Sequence, residues 1–291
     1  MNGPDISALA DTLHRLCPGF AVTGSPVRTG TSLLLPGSIR GVAVLAKQPT
    51  DPRPFWQDRC RHEIAVYQAL ASAGTAPVAT PSLVAAEPMH PLLVITRLPG
   101  RPLHPDRYPA GPVPGQTLQR LLHTLETLHH WQPSAAFPDD GNYPSQLAAY
   151  RGGLIPPDDF DRIIRVCLAV MPPAQLQHGD AHLANALDTP SGVALIDLEC
   201  TAWRPAGYDL AKLWVFLGSA LASRAAILSA LSGQAGSLPG FWVAVALVAA
   251  REITSHHRHP DLPGGEARIH QLHSDLNEAL TRIRQLHTWL T

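Results

Sequence analysis

The chain has 291 residues with 22 basic and 23 acidic side chains, which gives a formal net charge of -1 at pH 7. This near balance argues against a general nucleic-acid binder, because such proteins usually present a basic field. Apolar residues make up 45% of the chain and charged residues 15%, which excludes a disordered chain. Only two basic residues are lysines, Lys47 and Lys212. GC-rich codon usage explains the general scarcity of lysine, but it does not explain why these two remain.

Cysteine usage and apolar runs bear on the compartment. The four cysteines are widely spaced without a Cys-x-x-Cys pair, which is typical of reduced thiols and not of a disulfide framework or a zinc ribbon. No basic segment followed by an apolar run marks a signal peptide at the N-terminus. The longest apolar stretch, residues 241–250, is about half the length of a membrane-spanning helix. We therefore expect a cytoplasmic protein without a nucleic-acid or membrane partner, either a monomer or a dimer.

The first 97 residues are predicted to form a small sheet with one principal helix. Residues 6–16 have the pattern of a short amphipathic helix that stops at Pro18 and Gly19. The principal helix is predicted over residues 58–71, where apolar residues share one face. The predicted strands, which are short apolar runs bounded by turn residues, are 31–35, 42–46, 83–86 and 92–96.

The character of the chain changes at a proline-bounded joint near residues 97–100. A proline-rich segment follows, and most of the remaining chain has helical periodicity. The predicted helices are 116–131, 159–171, 208–231, 241–254 and 266–290, with a β-like insert at 175–198. The sequence thus predicts an α+β fold with two lobes, an N-terminal lobe over 1–97 and a larger, mainly helical lobe over 98–291.

The strongest chemical signal is the run His178-Gly-Asp-Ala-His-Leu-Ala-Asn185, followed by Asp197 after a short apolar strand. The run places the carboxylate of Asp180 and the carboxamide of Asn185 five residues apart on one loop. This arrangement suits phosphoryl transfer. One carboxylate orients a substrate hydroxyl and accepts its proton, while the other carboxylate and the amide oxygen hold Mg²⁺ on the nucleotide phosphates.

The same mechanism requires a lysine on a strand, paired with a glutamate on a helix. Lys47 ends a predicted strand, and Glu63 lies 16 residues later in the next predicted helix. Such a pair holds the ammonium in position against the phosphates, where electrostatic stabilisation supplies most of the catalysis. The broad planar guanidinium of arginine is a poor substitute for a compact ammonium there, which gives a chemical reason for retaining Lys47.

Together these motifs resemble the aminoglycoside phosphotransferase family, whose fold is similar to that of eukaryotic protein kinases. The resemblance extends over most of the chain. The matching segments are Gly30-Thr31-Ser32, Lys47, Glu63 to Leu70, Leu92 to Gly100, His178 to Asn185, Ile196 to Glu199 and Gly207 to Ala211.

The resemblance implies a nucleotide-binding N-terminal lobe and a catalytic, substrate-binding C-terminal lobe. It implies Asp180 as the catalytic base, and Asn185 and Asp197 as ligands of Mg²⁺. It also implies that ATP or GTP is held by a set of residues in the N-terminal lobe: Lys47, Glu63, Gly30, Thr31, Ser32, and the backbone from Thr96 to Leu98. The implied acceptor is a hydroxyl group of a small molecule, and an antibiotic acceptor would make the enzyme a resistance kinase.

Three alternatives stay open at this point. A metabolic kinase for choline, homoserine or a sugar fits the same motifs. A nucleotide-binding pseudokinase is favoured only by the phosphate loop, which has the single glycine Gly30. A metallohydrolase is suggested by the His178-x-Asp180-x-His182 spacing, but it leaves Asn185 and Lys47 unexplained.

The sequence says less about the acceptor and about several charged residues. Residues 1–100 carry eight basic and six acidic side chains and residues 101–291 carry 14 and 17, so the larger lobe is only mildly acidic. A polycationic acceptor favours a strongly acidic cleft, so a less charged hydroxylated acceptor fits as well. Asp209 is predicted to cap a helix or brace the catalytic loop, and Lys212 to be a surface charge. Glu199 is open between substrate contact, metal environment and salt bridge.

Overall fold

The protein is described by a computed structural model over residues 6–218, 220–233 and 236–288. The chain divides into two compact units. The first comprises the residues up to Arg101 with Pro133–Pro138 and Asp188–Thr201, and the second comprises Pro102–Gln132, Asp139–Leu187 and the chain from Ala202 onwards. The predicted lobe boundary between residues 97 and 98 stays a prediction, since the first unit also includes two later segments.

Strands and helices alternate irregularly along the chain. Up to residue 102 they are α1 (Ile6–Leu16), β1 (Ala21–Val22), β2 (Val27–Arg28), β3 (Ser32–Ile39), β4 (Val42–Pro49), α2 (Pro54–Ala73), β5 (Leu83–Glu87), β6 (Leu92–Thr96) and β7 (Arg101–Pro102). The later elements are α3 (Gly115–His129), α4 (Tyr143–Ala148), α5 (Pro157–Val170), β8 (Ala174–Gln177), a 3₁₀ turn (Leu183–Asn185), β9 (Ala186–Thr189), β10 (Gly192–Leu195), β11 (Ala202–Pro205), α6 (Tyr208–Phe216), α7 (Leu221–Ser232), α8 (Ser237–Arg258) and α9 (Gly265–Thr288).

The main sheet of the first unit is antiparallel, with the order β1-β3-β4-β6-β5 and β2 paired with β3. Alternate residues of a strand face opposite sides of its sheet. In β4, Val44 and Ala46 are therefore buried in a core with Leu9 and Leu13 of α1. Lys47 has the opposite orientation to Ala46. Smaller sheets have the orders β10-β9-β7 and β11-β8.

The strand predictions for the first unit are close to the structure. β6 has the predicted bounds, and β3 and β4 extend beyond their predicted ends. The two-residue strands β1 and β2 were not predicted, because so short a segment has no periodicity. Helix α2 begins at Pro54, four residues before the predicted start. Proline suits the first helical position because its fixed φ matches the helix. The N–H group that proline lacks would have no hydrogen-bond partner within the helix at that position.

Helix α8 forms the centre of the second unit. Every residue from Phe241 to Ala250 is buried, and Phe241 and Trp242 pack edge to face with Trp214 of α6. At 22 residues, α8 is long and apolar enough to cross a membrane by length and composition alone, but most of it is buried within the protein. Burial of this kind is typical of a core helix that is apolar all round.

One predicted helix proves to be two. The prediction of a continuous helix over 208–231 is wrong, because α6 ends at Phe216 and α7 begins at Leu221. Gly218 has a φ of 63° between them, a left-handed conformation that commonly ends helices and that glycine adopts without strain. Helix α9 is described to Thr288, so the predicted end at Leu290 lies outside the described residues. Together the antiparallel sheets and the helical remainder confirm the α+β prediction.

The burial of α8 predicts a large and local difference in stability between two of its apolar residues. Phe241 is fully buried, whereas Leu238 is 43% exposed. We expect Phe241→Ala to lower the free energy of unfolding by about 3–5 kcal/mol through lost burial and a residual cavity. Leu238→Ala should change it by less than about 1 kcal/mol. Equilibrium denaturant unfolding of both variants checks this, and equal losses would contradict the assigned core.

Candidate active site

In the first unit, four charged side chains gather around the end of β4. The Lys47 Nζ lies 2.7 Å from Glu63 Oε2 and 2.6 Å from Asp197 Oδ1. Glu199 Oε2 is 3.3 Å from the same ammonium. The predicted pair of Lys47 with Glu63 is therefore formed. The structure adds two carboxylates from the segment that follows β10.

The cluster has more acidic than basic groups, with one ammonium among three carboxyl groups. Although burial opposes the charged form, Asp197, Glu63 and Glu199 raise the pKa of Lys47 well above its ordinary value. Burial, reinforced by the neighbouring carboxylates, raises the pKa of Glu63 to about 7. Lys47 thus stays protonated. The surplus of negative charge favours an additional cation at this position.

The donor set of the cluster fits a divalent cation. One oxygen each from Glu63, Asp197 and Glu199 lie within 4.8 Å of one another. Carboxylate oxygens are the ligands that hard cations such as Mg²⁺ prefer. Asp197 also has a φ of 61°, an uncommon conformation for a residue with a side chain. Glu199, whose role the sequence left open, therefore belongs to this charged cluster.

The predicted phosphate loop is a tight turn between β2 and β3. Thr29 Oγ1 accepts a hydrogen bond from the Ser32 N–H at 3.0 Å, and the Thr50 N–H donates to the Thr31 carbonyl at 2.9 Å. Ser32 is buried, whereas Gly30 is exposed at the tip of the turn. A Cβ placed on Gly30 would meet no atom within 4 Å. The fold therefore leaves open space beside the Gly30 backbone.

The backbone predicted to receive a purine ring follows β6. The Thr96 N–H donates to the Ser82 carbonyl and the Arg97 N–H donates to the Ala43 carbonyl, both at 2.9 Å. Within the described part of the chain, the Leu98 N–H has no such backbone acceptor. Of the three predicted positions, Leu98 thus offers the free donor.

In the second unit, a buried carboxylate braces the loop that carries the strongest motif. Asp209 accepts hydrogen bonds from the backbone N–H groups of His178 and Gly179, at 2.7 and 2.8 Å. His129 Nε2 is 3.0 Å from the same carboxylate. Although burial opposes ionisation, the hydrogen bond from His129 lowers the pKa of Asp209. Asp209 therefore fixes the start of the loop.

Asp180 lies at the centre of that loop with several polar partners. Asn185 Nδ2 donates to the Asp180 carbonyl at 3.1 Å and lies 3.3 Å from Oδ2, so the structure brings these two predicted residues together. His182 Nε2 is 3.4 Å from the same Oδ2. His178 contacts the loop backbone through the Asp180 N–H. The two histidines thus support the loop, and they do not belong to the carboxylate cluster that fits a cation.

The prediction that Lys212 is a surface charge is wrong. Lys212 is only 8% exposed, and its Nζ lies 2.9 Å from Asp180 Oδ1. Helix α6 places it one turn after Asp209, on the side that faces the loop. Although burial opposes ionisation, the charges of Lys212 and Arg107 lower the pKa of Asp180 well below its ordinary value. Asp180 is therefore a carboxylate, despite its burial.

Two further residues near Asp180 come from the proline-rich segment after β7. The guanidinium of Arg107 lies 3.3 Å from both carboxylate oxygens of Asp180 and 3.4 Å from Glu252 Oε1. The Tyr108 hydroxyl hydrogen-bonds to Glu252. The sequence did not point to Arg107, Tyr108 or Glu252, because neither the proline-rich segment nor α8 carries a chemical motif. The scarcity of lysine was the one signal that could have pointed to Lys212.

Comparison with solved structures finds the same fold in several small-molecule kinases. APH(2")-IIia in complex with GDP and kanamycin has a TM-score of 0.63 at 15% identity, covering 94% of this chain and 99% of that chain. Macrolide 2'-phosphotransferase MphH from Brachybacterium faecium has a TM-score of 0.58 at 19% identity, covering 93% and 98%. A choline/ethanolamine kinase family protein from Mesorhizobium loti has 0.60 at 18% identity, covering 97% and 95%.

The sequence comparisons agree with the fold. No curated protein sequence matches the chain significantly. The sequence model of the phosphotransferase enzyme family, APH, matches residues 44–240, which is more than half of the chain and includes Lys47, Glu63, Asp180, Asn185 and Asp197. The chain therefore has the kinase-like fold of the aminoglycoside phosphotransferases and belongs to the APH phosphotransferase enzyme family.

Proposed function

We propose that the protein transfers the γ-phosphoryl group of a magnesium-bound nucleoside triphosphate, ATP or GTP, to a hydroxyl of a small molecule. The observation that carries this proposal is the buried and ionised Asp180 carboxylate, on a braced loop with Asn185. Solved relatives include complexes with GDP and ADP, which supports a nucleotide co-substrate. Kanamycin and hygromycin B in those complexes support a small hydroxylated acceptor.

In the proposed reaction, Asp180 receives the proton of the acceptor hydroxyl. The hydroxyl oxygen forms a bond to the γ-phosphorus, and the bond between that phosphorus and the β–γ bridging oxygen breaks. The bridging oxygen keeps the electron pair, and the nucleoside diphosphate leaves. Asp209 contributes indirectly, because its hydrogen bonds to the loop backbone hold Asp180 in place.

Lys47 would contact the nucleotide phosphates while Glu63 holds its ammonium in position. Asp197 and Asn185 would hold Mg²⁺, with Glu199 as a further oxygen donor beside Asp197. Bound Mg²⁺ supplies neutralisation of the phosphate charge. The Gly30 turn would accept phosphates through its backbone, and the Leu98 N–H would hydrogen-bond the purine ring.

A metabolic kinase differs from a resistance kinase only in the acceptor, and relatives of both kinds share the fold. A pseudokinase is disfavoured because Lys47, Asp180, Asn185 and Asp197 are all present. The turn at 28–32 has a single glycine, and the hydroxyl of Thr29 closes it through hydrogen bonds to the Ser32 backbone. Because these hydrogen bonds hold the turn, its single glycine is compatible with activity.

Removing the base should abolish turnover without preventing nucleotide binding. We expect Asp180→Ala to lower turnover on the order of 10²-fold or more through loss of general-base assistance. The measurement is nucleotide-dependent phosphate transfer to a panel of antibiotics and metabolites, with nucleotide binding measured by calorimetry. Full activity in this variant would contradict the mechanism, and zinc-dependent hydrolysis without nucleotide would favour a metallohydrolase.

The position of Lys47 predicts that charge alone cannot replace it. We expect Lys47→Arg to weaken nucleotide binding or turnover by about tenfold or more, since the guanidinium cannot occupy the site of a compact ammonium. Arg61→Lys, an exposed change on α2, is the matched control. Unfolding is measured in parallel because Lys47 pairs with buried Glu63. Wild-type kinetics in Lys47→Arg would remove Lys47 from the phosphate site.

The open space beside Gly30 allows its role to be separated from folding. Its φ is not left-handed and a Cβ meets nothing, so Gly30→Ala should leave the free energy of unfolding unchanged or raise it by about 0.4–1 kcal/mol. If phosphates approach this backbone, the methyl group should raise the KM for nucleotide. Gly41, which has a φ of 81°, is not a suitable control, so Gly111→Ala serves instead, because a Cβ at Gly111 also meets no atom within 4 Å. An unchanged nucleotide KM in Gly30→Ala would make the turn a plain hairpin.

A further inference from the structure

Arg107 contacts the predicted catalytic base in a way that the transfer reaction does not require. Its guanidinium lies 3.3 Å from each carboxylate oxygen of Asp180, and its side chain is 40% exposed. These are long contacts for a charge-assisted pair, which is usually about 2.7–2.9 Å. An acceptor hydroxyl must reach one of the same oxygens. Each oxygen also has a second donor, Lys212 at Oδ1 and Asn185 at Oδ2, so an incoming hydroxyl competes with the long contacts of Arg107.

The side chains that contact Asp180 directly include two cations, Lys212 and Arg107. Lys212 lies over the Phe216 ring at 4.7 Å, Arg107 lies over the same ring at 4.6 Å, and Arg268 lies over the Tyr108 ring at 4.4 Å. Against these three cations stand the carboxylates of Asp180 and Glu252. Farther from Asp180, a further arginine, Arg224, is paired with both Asp275 and Glu278.

The imidazole of His182 and the hydroxyl of Tyr108 add no charge to this cluster. Burial lowers the pKa of His182, so its imidazole is neutral near pH 7. Burial raises the pKa of the Tyr108 hydroxyl, which is therefore also neutral. A positively charged group of an acceptor here would meet Arg107 and Lys212, and the carboxylates of Asp180 and Glu252 are already paired with these cations. Repulsion between like charges therefore selects against a positively charged acceptor at this position.

Resting on the proposed function, we infer that the acceptor carries an oxyanion, a carboxylate or a phosphate, close to its reactive hydroxyl. The guanidinium of Arg107 binds that oxyanion when the hydroxyl takes its place on Asp180. A guanidinium presents paired N–H donors that match carboxylate and phosphate oxygens. Arg107 is thus a specificity-determining residue. The oxyanion is not consumed, and the transferred group and the proton move as in the proposed reaction.

Polycationic acceptors do not suit such a site. An ammonium beside the acceptor hydroxyl would lie within a few ångströms of two cations that already neutralise Asp180. The γ-phosphoryl group is a second source of the same oxyanion chemistry. The two sources can be distinguished, because the γ-phosphoryl group is present with every acceptor, whereas only some acceptors carry an oxyanion of their own.

The test uses the wild-type chain, Arg107→Gln and the exposed control Arg258→Gln with magnesium and ATP or GTP. The acceptors are hydroxycarboxylic acids and sugar phosphates, their neutral alcohol or sugar counterparts, and polycationic aminoglycosides. We expect the anionic acceptors to have the highest kcat/KM. Arg107→Gln should raise their KM about tenfold or more, as expected for loss of a charged hydrogen bond, while the nucleotide KM changes little. Arg258→Gln should behave as wild type.

Two results would overturn the inference while leaving the proposed function intact. One is a higher kcat/KM for neutral or polycationic acceptors. The other is an equal loss in Arg107→Gln with every acceptor, which would assign the guanidinium to the transferred phosphoryl group. Transfer to no acceptor, with Asp180→Ala identical to wild type, would instead contradict the proposed function and the inference with it. If Arg107→Gln unfolds, Arg107→Lys keeps the charge, loses the paired donors and is judged by the same comparison.

Discussion

The ionised state of the buried Asp180 carboxylate is the constraint on which the second unit's chemistry depends. Burying a carboxylate is costly unless cations and hydrogen bonds compensate it. Lys212 and Arg107 supply the charge, and Asn185 contacts the carboxylate and its own backbone carbonyl. The loop that carries Asp180 is in turn fixed by Asp209 through two backbone N–H groups. A second buried acid therefore positions the first.

Local spacing predicted much of the candidate site. Asp180 and Asn185 are five residues apart on one loop, so their proximity follows from the sequence directly. The contact of Lys47 with Glu63 also follows, because strand alternation turns Lys47 away from the α1 core. Arg107 and Glu252 could not be predicted, since they lie 73 and 145 residues from their partners. Only tertiary packing brings such distant positions together.

The two lysines that remain in an arginine-rich chain now have comparable explanations. Each places a compact ammonium against a carboxylate, Lys47 in the first unit and Lys212 in the second. The sequence could explain only Lys47, since a helix that is apolar along most of its length gives no sign that its single lysine is buried. The mild acidity of the larger lobe did suggest that polycationic acceptors are not favoured. The cations around Asp180 give that suggestion a specific location.

The activity proposed for this protein is transfer of a phosphoryl group from a nucleotide to a small-molecule hydroxyl. Phosphorus NMR of the wild-type protein with magnesium, nucleoside triphosphate and a mixture of hydroxylated acceptors tests it most directly. We expect a new phosphomonoester resonance that grows in step with nucleoside diphosphate. Nucleoside diphosphate that accumulates only with inorganic phosphate, or an unchanged spectrum, would contradict it.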